Sequence, residues 1–339
     1  MMLLSIIIPC YNCESNIEKL LLSIKEQLNE TVQLVLINDG SWDATHDIIT
    51  KFTSDNPSIK IKYINSINQG AAKARSTGLN YAEGDYVFFC DSDDMISANF
   101  ISVFTELSND KPDMIYFCST VLDSQGNRFK KVHFPLAYIE SNSNEVFNYL
   151  LKKGQWTAAV WTYIFRKDLV LKSGAIFTDR KVHEDHLFTL RLLAGSEKIS
   201  ICNSELYFQN VTSGSLTKSP KKIDYLTERY KSYKEAREDI IYKFSQESIV
   251  LYDRWSMSSL LQILKENKKA KKHEYSNKFK NINERTEDDK KFVIKEAELI
   301  IADYLKETEP DNTSVKRKLR RLKCTSAILG LLLIVSIIF

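Results

Sequence analysis

The chain has 339 residues, 43% of them hydrophobic and 27% charged, the make-up of a packed globular protein of about two domains. A net charge of only +3, part of it in one basic cluster near the C-terminus, gives no support to a nucleic-acid partner. Six scattered cysteines lack the dense spacing of a disulfide scaffold and read as reduced thiols.

The first element is a short apolar run, Leu3 to Pro9, with no charged leader before it, so it reads as a strand and not a signal peptide. Ile17, Leu20, Leu21 and Ile24 then recur at helical spacing before a second apolar run, Val32 to Ile37. A helix around Asp43 to Phe52 leads to a strand at Ile61 to Ile64, and a helix over Ala71 to Tyr81 leads to a strand at Tyr86 to Cys90. Four strands joined by three helical crossovers predict a doubly wound, Rossmann-like α/β half. Beyond Asp94 the alternation weakens: Met114 to Phe117 is a predicted strand, Asn144 to Leu151 a predicted helix, and from Ile223 onward helical periodicity dominates.

The C-terminus carries Lys316, Arg317, Lys318, Arg320, Arg321 and Lys323, followed by an uncharged run from Cys324 to Phe339. Cations beside an apolar terminus read as a membrane anchor preceded by cytoplasmic positive charge. These 16 residues of helix would reach only ~24 Å against a hydrocarbon core of ~30 Å, so a full crossing needs thinning or snorkelling, and a peripheral attachment stays open. A buried core helix suits the length but leaves the six cations unexplained.

In an open parallel sheet, ligands sit beyond the carboxyl ends of the strands. Those ends read Pro9-Cys10-Tyr11-Asn12, Asn38-Asp39-Gly40-Ser41 and Asp91-Ser92-Asp93-Asp94. Cys10 and Cys13 make a C-x-x-C pair, but no second pair completes a zinc site. The acid run has two readings: an Asx-rich turn capping the next helix, or carboxylates whose repulsion a hard cation, Mg²⁺ or Mn²⁺, relieves while gripping a nucleotide diphosphate.

Taken together, Ser5 to Asn12, Leu36 to Ser41, Asn68-Gln69-Gly70-Ala71-Ala72-Lys73-Ala74-Arg75 and Asp91 to Asp94 resemble, in order and spacing, the family 2 glycosyltransferases of GT-A fold. The resemblance is strong over residues 3 to 95 and traceable to about residue 217. It implies that Pro9, Tyr11 and Asp39 line a uridine pocket, Asp39 accepting from the uracil imide, with Asn12 and Ser92 as further donor contacts. It places Arg75 beside the uracil or diphosphate, where the plainer reading is a surface helix charge. Asp91 and Asp93 become the D-x-D pair that reaches the ribose and an Mn²⁺ or Mg²⁺ ion.

Inversion at a sugar carbon needs one general base for the acceptor hydroxyl. His183-Glu184-Asp185-His186 resembles the family's E-D motif, which makes Asp185 the base, with Glu184 behind it or on the acceptor. The alternative for Asp185 is an N-cap of the helix through Leu187, Leu190 and Leu193. His183 and His186 read as structural or acceptor contacts in preference to metal ligands. Trp161 reads equally as a sugar platform or as core. Many relatives carry an Arg or His where Gln209 and Asn210 stand, which leaves a third metal ligand in doubt.

The expected organisation is a nucleotide-sugar half at 1–98, an acceptor half at 99–217, a helical region at 218–310, a basic segment at 311–323 and an anchor at 324–339. The expected activity is inverting transfer from a UDP-sugar donor to a glycan acceptor, lipid-linked by analogy with cell-surface polysaccharide assembly, at the cytoplasmic face of the cell membrane. Two rivals are a non-catalytic nucleotide-sugar-binding or scaffold protein and a sugar nucleotidyltransferase. Intact Asp91, Asp93 and Asp185 disfavour the first; the lack of an early Gly-rich triphosphate loop disfavours the second.

Overall fold

The computed structural model describes residues 3–123, 125, 127–135, 139–180, 182–210, 223–256 and 258–260. The chain divides into two units, Met1–Lys218 and Ser219–Phe339.

The first unit opens with β1 (Leu4–Cys10), α1 (Ile17–Lys25), β2 (Val32–Asp39), α2 (Thr45–Asp55), β3 (Lys60–Ser66), α3 (Ala71–Tyr81) and β4 (Tyr86–Phe89). β1 and β2 read as near-continuous apolar runs because helices cover both faces of a parallel sheet. α1 buries Ile17, Leu20, Leu21 and Ile24, the stripe its spacing predicts.

α3 is different, being rich in small residues. A Cβ on Gly78 would meet Ile7 Cγ2 at 2.3 Å, so glycine lets this helix lie close on β1. That close approach carries Ala74 and Arg75 into the interior.

The remaining elements are β5 (Met95–Ile96), α4 (Phe100–Ser108), β6 (Met114–Leu122), β7 (Arg128–Val132), β8 (Ile139–Ser141), α5 (Ser143–Lys152), a 3₁₀ turn (Val160–Thr162), β9 (Tyr163–Arg166), α6 (Leu169–Ser173), α7 (His186–Ala194) and β10 (Ile199–Asn210). α5 starts with a capping box, the Asn142 side chain and Glu145 each accepting the other's backbone N–H. The sheet runs β3-β2-β1-β4-β9-β6-β10-β5, with β7 on β6 and β8 on β10.

β1 to β4 are mutually parallel, whereas β9 runs antiparallel to both β4 and β6. This is the mixed, Rossmann-like α/β sheet that the family resemblance implies. On one face of β4, Phe88 packs with Phe100, Phe117 and Tyr207; on the other, Phe89 meets Phe165, Phe177 and Phe188. The strand that delivers the acid run is thus clamped from both sides.

In the second unit, α8 (Ile223–Ile240) and a helical stretch at 246–256 are joined by Arg237 Nε donating to Asp253 Oδ1 at 2.8 Å and by the rings of Tyr233, Tyr252 and Trp255. No helix among the described residues is long and apolar enough to cross a membrane. The basic segment at 311–323 and the expected anchor at 324–339 lie outside the described residues.

Candidate active site

The ends of β1 and β2 are stitched by short polar contacts. Asn12 adopts a left-handed backbone with φ of 48°, its N–H donating to Ser41 Oγ at 3.0 Å and its side-chain carbonyl accepting from Trp42 N at 3.0 Å. Asparagine tolerates this region better than most residues, so the turn after Tyr11 is built on it. Pro9 is half-buried and Tyr11 stands half-exposed at the rim.

Asp39 is buried at the end of β2, and its two oxygens accept from Gln69 N at 2.9 Å and Gly70 N at 2.8 Å. This carboxylate therefore shapes the turn into α3 as well as facing the strand ends. Gly40 follows with φ of 69°, and a Cβ there would lie 2.5 Å from Asn68 N.

Arg75 is not a surface charge. It is 7% exposed, and its guanidinium bridges Asp91 Oδ1 and Glu184 Oε1, each at 2.9 Å. A planar fork of donors suits two carboxylates held apart in this way. Burial opposes the charge, but Asp91, Glu184 and Asp185 together hold the guanidinium protonated.

Asp185 stands at the N-cap position of α7, yet its side chain makes no cap bond. Burial raises its carboxyl to about 7, Glu184 adds to the rise and Arg75 opposes it. The left-handed turn at His183, with φ of 61°, precedes the pair. Behind it, α7 is tied to β9 by the Tyr163 hydroxyl, 2.7 Å from Thr189 Oγ1.

In the acid run, Asp93 is pushed up by burial first and by Asp91 second, and Asp94 rises further for the same two reasons. The Cys13 thiol is drawn down to about 7, by Cys10 first, with Ser92 and Thr45 also lowering it and burial opposing them. The five cysteines among the described residues are all free.

Asp93, raised by burial and by the neighbouring charge of Asp91, suits a hard divalent cation, and carboxylate oxygens are the right donors for Mg²⁺ or Mn²⁺. Among the described residues no group of three His, Cys, Asp or Glu could hold a metal alone. Asp91 and Asp93 thus fit an ion that takes its remaining ligands from water and a diphosphate.

The structure joins Arg75, Asp91 and Glu184 directly, with Asp185 and Asp93 alongside, and sets Asn12 against the Ser41 turn. It also resolves Trp161, which is buried and stacks on Tyr207 with centroids 4.8 Å apart, so it is core and not a sugar platform. Tyr207, Asp94 and Asn210 belong to the same constellation, where the sequence marks Asp94 only as part of the acid run and Asn210 only as a departure from the relatives' Arg or His. The Tyr207 segment carries the ordinary apolar character of a strand, and nothing in it signals a hydroxyl under the acid run.

The family profile for Glycosyl transferase family 2 matches residues 5–172. A glycosyltransferase, EpsJ, of Bacillus subtilis is 27% identical over 76% of this chain and 71% of its own length. The Escherichia coli UDP-Glc:alpha-D-GlcNAc-diphosphoundecaprenol beta-1,3-glucosyltransferase WfaP is 31% identical over 64% of this chain and 80% of its own. Among solved structures, S. aureus TarS 1-349 in complex with UDP-GlcNAc superposes with a TM-score of 0.65 at 20% identity, over 91% of this chain and 82% of that 1-349 chain, which speaks to the fold. The strand-end acids, the mixed sheet and these relatives agree: the chain is a glycosyltransferase and belongs to family 2.

Proposed function

We propose that this glycosyltransferase inverts configuration, moving a hexosyl or N-acetylhexosaminyl group from a UDP-sugar to a hydroxyl of a lipid-linked glycan. The observation that carries the reading is the Arg75 bridge, which gathers carboxylates from two distant loops beside Asp185.

In this reading Pro9, Tyr11, Asn12, Asp39 and Ser92 surround the nucleoside, and Arg75 holds the acid run and the Glu184 turn in register. Asp91 and Asp93 would hold Mn²⁺ or Mg²⁺, which when bound neutralises the diphosphate and the charge growing on the UDP leaving group. Asp185 accepts the acceptor hydroxyl proton on a carboxylate oxygen as that hydroxyl attacks. A carboxyl titrating near 7 is well matched to this task at neutral pH. One displacement turns an α-linked donor into a β-linked product. Glu184, bound to Arg75, keeps a second charge at the base and so keeps its proton affinity high.

Support for the donor and acceptor classes comes from WfaP, whose name specifies UDP-Glc, a diphosphoundecaprenol-linked acceptor and a β product. The cationic cluster and apolar C-terminal run favour action at the cytoplasmic face of the membrane, anchored by one pass or peripherally. The proposed organisation keeps the donor half at 1–98 and the acceptor half at 99–217, with helical, basic and anchor segments after them.

The test is a donor screen with Mn²⁺ and UDP-, GDP- and dTDP-sugars in the presence of a diphosphoundecaprenol-linked sugar, scoring nucleotide release and trapping the glycoside. Turnover of a UDP-sugar to a β-glycoside, lost in Asp185→Asn and Asp93→Asn, supports the reading. An α-linked product, or a sugar nucleotide in place of a glycoside, overturns it.

A further inference from the structure

The acid run is fastened to the far strand β10 in a way the reaction scheme above does not use. The Tyr207 hydroxyl donates to Asp94 Oδ2 at 2.5 Å and accepts from the Asp91 backbone N–H at 3.2 Å. Asn210 N donates to Asp94 Oδ1 at 2.7 Å, and Asn210 Nδ2 donates to the Asp93 carbonyl at 2.8 Å. Asp91, Asp93 and Asp94 are thus each held by a residue of one strand end.

The geometry needs a special backbone. β10 pairs in parallel with β6 from Ile199↔Met114 to Ile201↔Tyr116, then shifts register between Ile201, Glu205 and Tyr207. Such an irregularity re-aims the side chains beyond it. Past the shift, Tyr207 and Phe208 also pair antiparallel with Ile96 and Met95, the strand that directly follows the acid run.

The Tyr207 ring is then fixed by Trp161 stacked on it, 10° from parallel, and by Phe88 packed edge-on at 5.9 Å. The ring is fully buried, so its hydroxyl has one place to go.

We infer that Tyr207, Asp94 and Asn210 form a latch that positions Asp91 and Asp93 for the cation and diphosphate. These are positioning residues: they touch neither ion nor substrate, and they act through the backbone of the acid run. Asp94 serves as the buried acceptor on which both β10 donors converge, and Asp91 and Asp93 keep their carboxylates for the ligand. The inference rests on the proposed role of Asp91 and Asp93 in donor binding.

The latch predicts a loss confined to the diphosphate end of the ligand. Supporting shells of this kind alter metal affinity or activity by about 10- to 100-fold. Tyr207→Phe keeps the ring and its stacking while removing the hydroxyl, and Asn210→Ala at the half-buried strand end removes only the bond to Asp93.

Calorimetric titration of UDP with and without Mn²⁺, and of uridine, is measured for wild type, both variants and Asp93→Asn. The expected result is a loss of about tenfold or more in Mn²⁺-dependent UDP affinity in Tyr207→Phe, a smaller loss in Asn210→Ala, and unchanged uridine affinity in both. Uridine and UDP weakened equally would mean that the tyrosine supports the fold generally, and would overturn the latch. Wild-type UDP affinity in Tyr207→Phe and Asn210→Ala beside a loss in Asp93→Asn would overturn the latch alone. Wild-type affinity in Asp93→Asn as well would overturn the reading of the acid run and the latch with it.

Discussion

Arg75 and Glu184 lie 109 residues apart in sequence and are bonded at 2.9 Å, with Asp91 on the other prong of the same guanidinium. Removing the cation leaves two carboxylates facing each other in a partly buried place. Arg75→Met is expected to lower stability by about 3 kcal/mol, and Arg75→Lys, which cannot span both acids, is expected to recover only part of it. Chemical denaturation of the three proteins at one pH checks this.

Arg75 also restrains Asp185, whose raised carboxyl must be ionised to work as a base. The rate constant kcat/KM should therefore rise with pH through about 7 and level off above it. Arg75→Met should move that limb to higher pH, because an opposing charge is lost. Glu184→Gln should move it to lower pH, because the neighbouring negative charge is gone. A limb that stays put in both variants would count against Asp185 as the titrating group.

The same shift has a sign for stability. The folded-state pKa of Asp185 lies above that of the unfolded chain, so the native state binds more protons between about pH 4 and 7. Its contribution is fully present below the unfolded value and fades as pH rises through the folded one. Asp185→Asn should accordingly gain about 2–4 °C in Tm relative to wild type between pH 5 and 8, followed by calorimetry. A constant offset across that range would contradict the shift.

Gly40 separates the donor-side strand ends. Its φ of 69° and the 2.5 Å approach to Asn68 N leave no room for a side chain. Gly40→Ala should cost about 1–3 kcal/mol and, if the proposed nucleoside contacts hold, raise the donor KM, because it displaces the Asp39 turn. Thermal unfolding and donor titration read the two effects separately.

Trp161→Ala opens a cavity under Tyr207 and is expected to destabilise by about 3–5 kcal/mol. Trp161→Phe should restore most of the stability. Because the ring lies beneath the acid run, acceptor KM should change less than the Mn²⁺ requirement, which steady-state kinetics at varied Mn²⁺ measures.

The parallel half is legible in the sequence because β1, β2 and β4 are short, mostly apolar runs, and because Ile17, Leu20, Leu21 and Ile24 share one helix face. Ligand-facing residues at such strand ends follow from topology. What lies beyond depends on distant contacts. β9 is only Tyr163–Arg166, too short for periodicity to mark, and its antiparallel direction is set by its neighbours β4 and β6. The burial of Arg75 depends on Gly78 lying against Ile7, a contact between α3 and β1 that no local pattern records. Tyr207 reaches the acid run through a register shift in β10, which composition does not encode.

That register shift also limits how the enzyme could be recombined. The donor-side acids at 91–94 take part of their support from residues 184, 207 and 210. A chimera that kept residues 1–98 and took the rest of the unit from a relative would give its own acid run new bonding partners. The second half can be exchanged cleanly only by grafts that retain the Glu184 turn and the end of β10, so change is channelled into the segments between them.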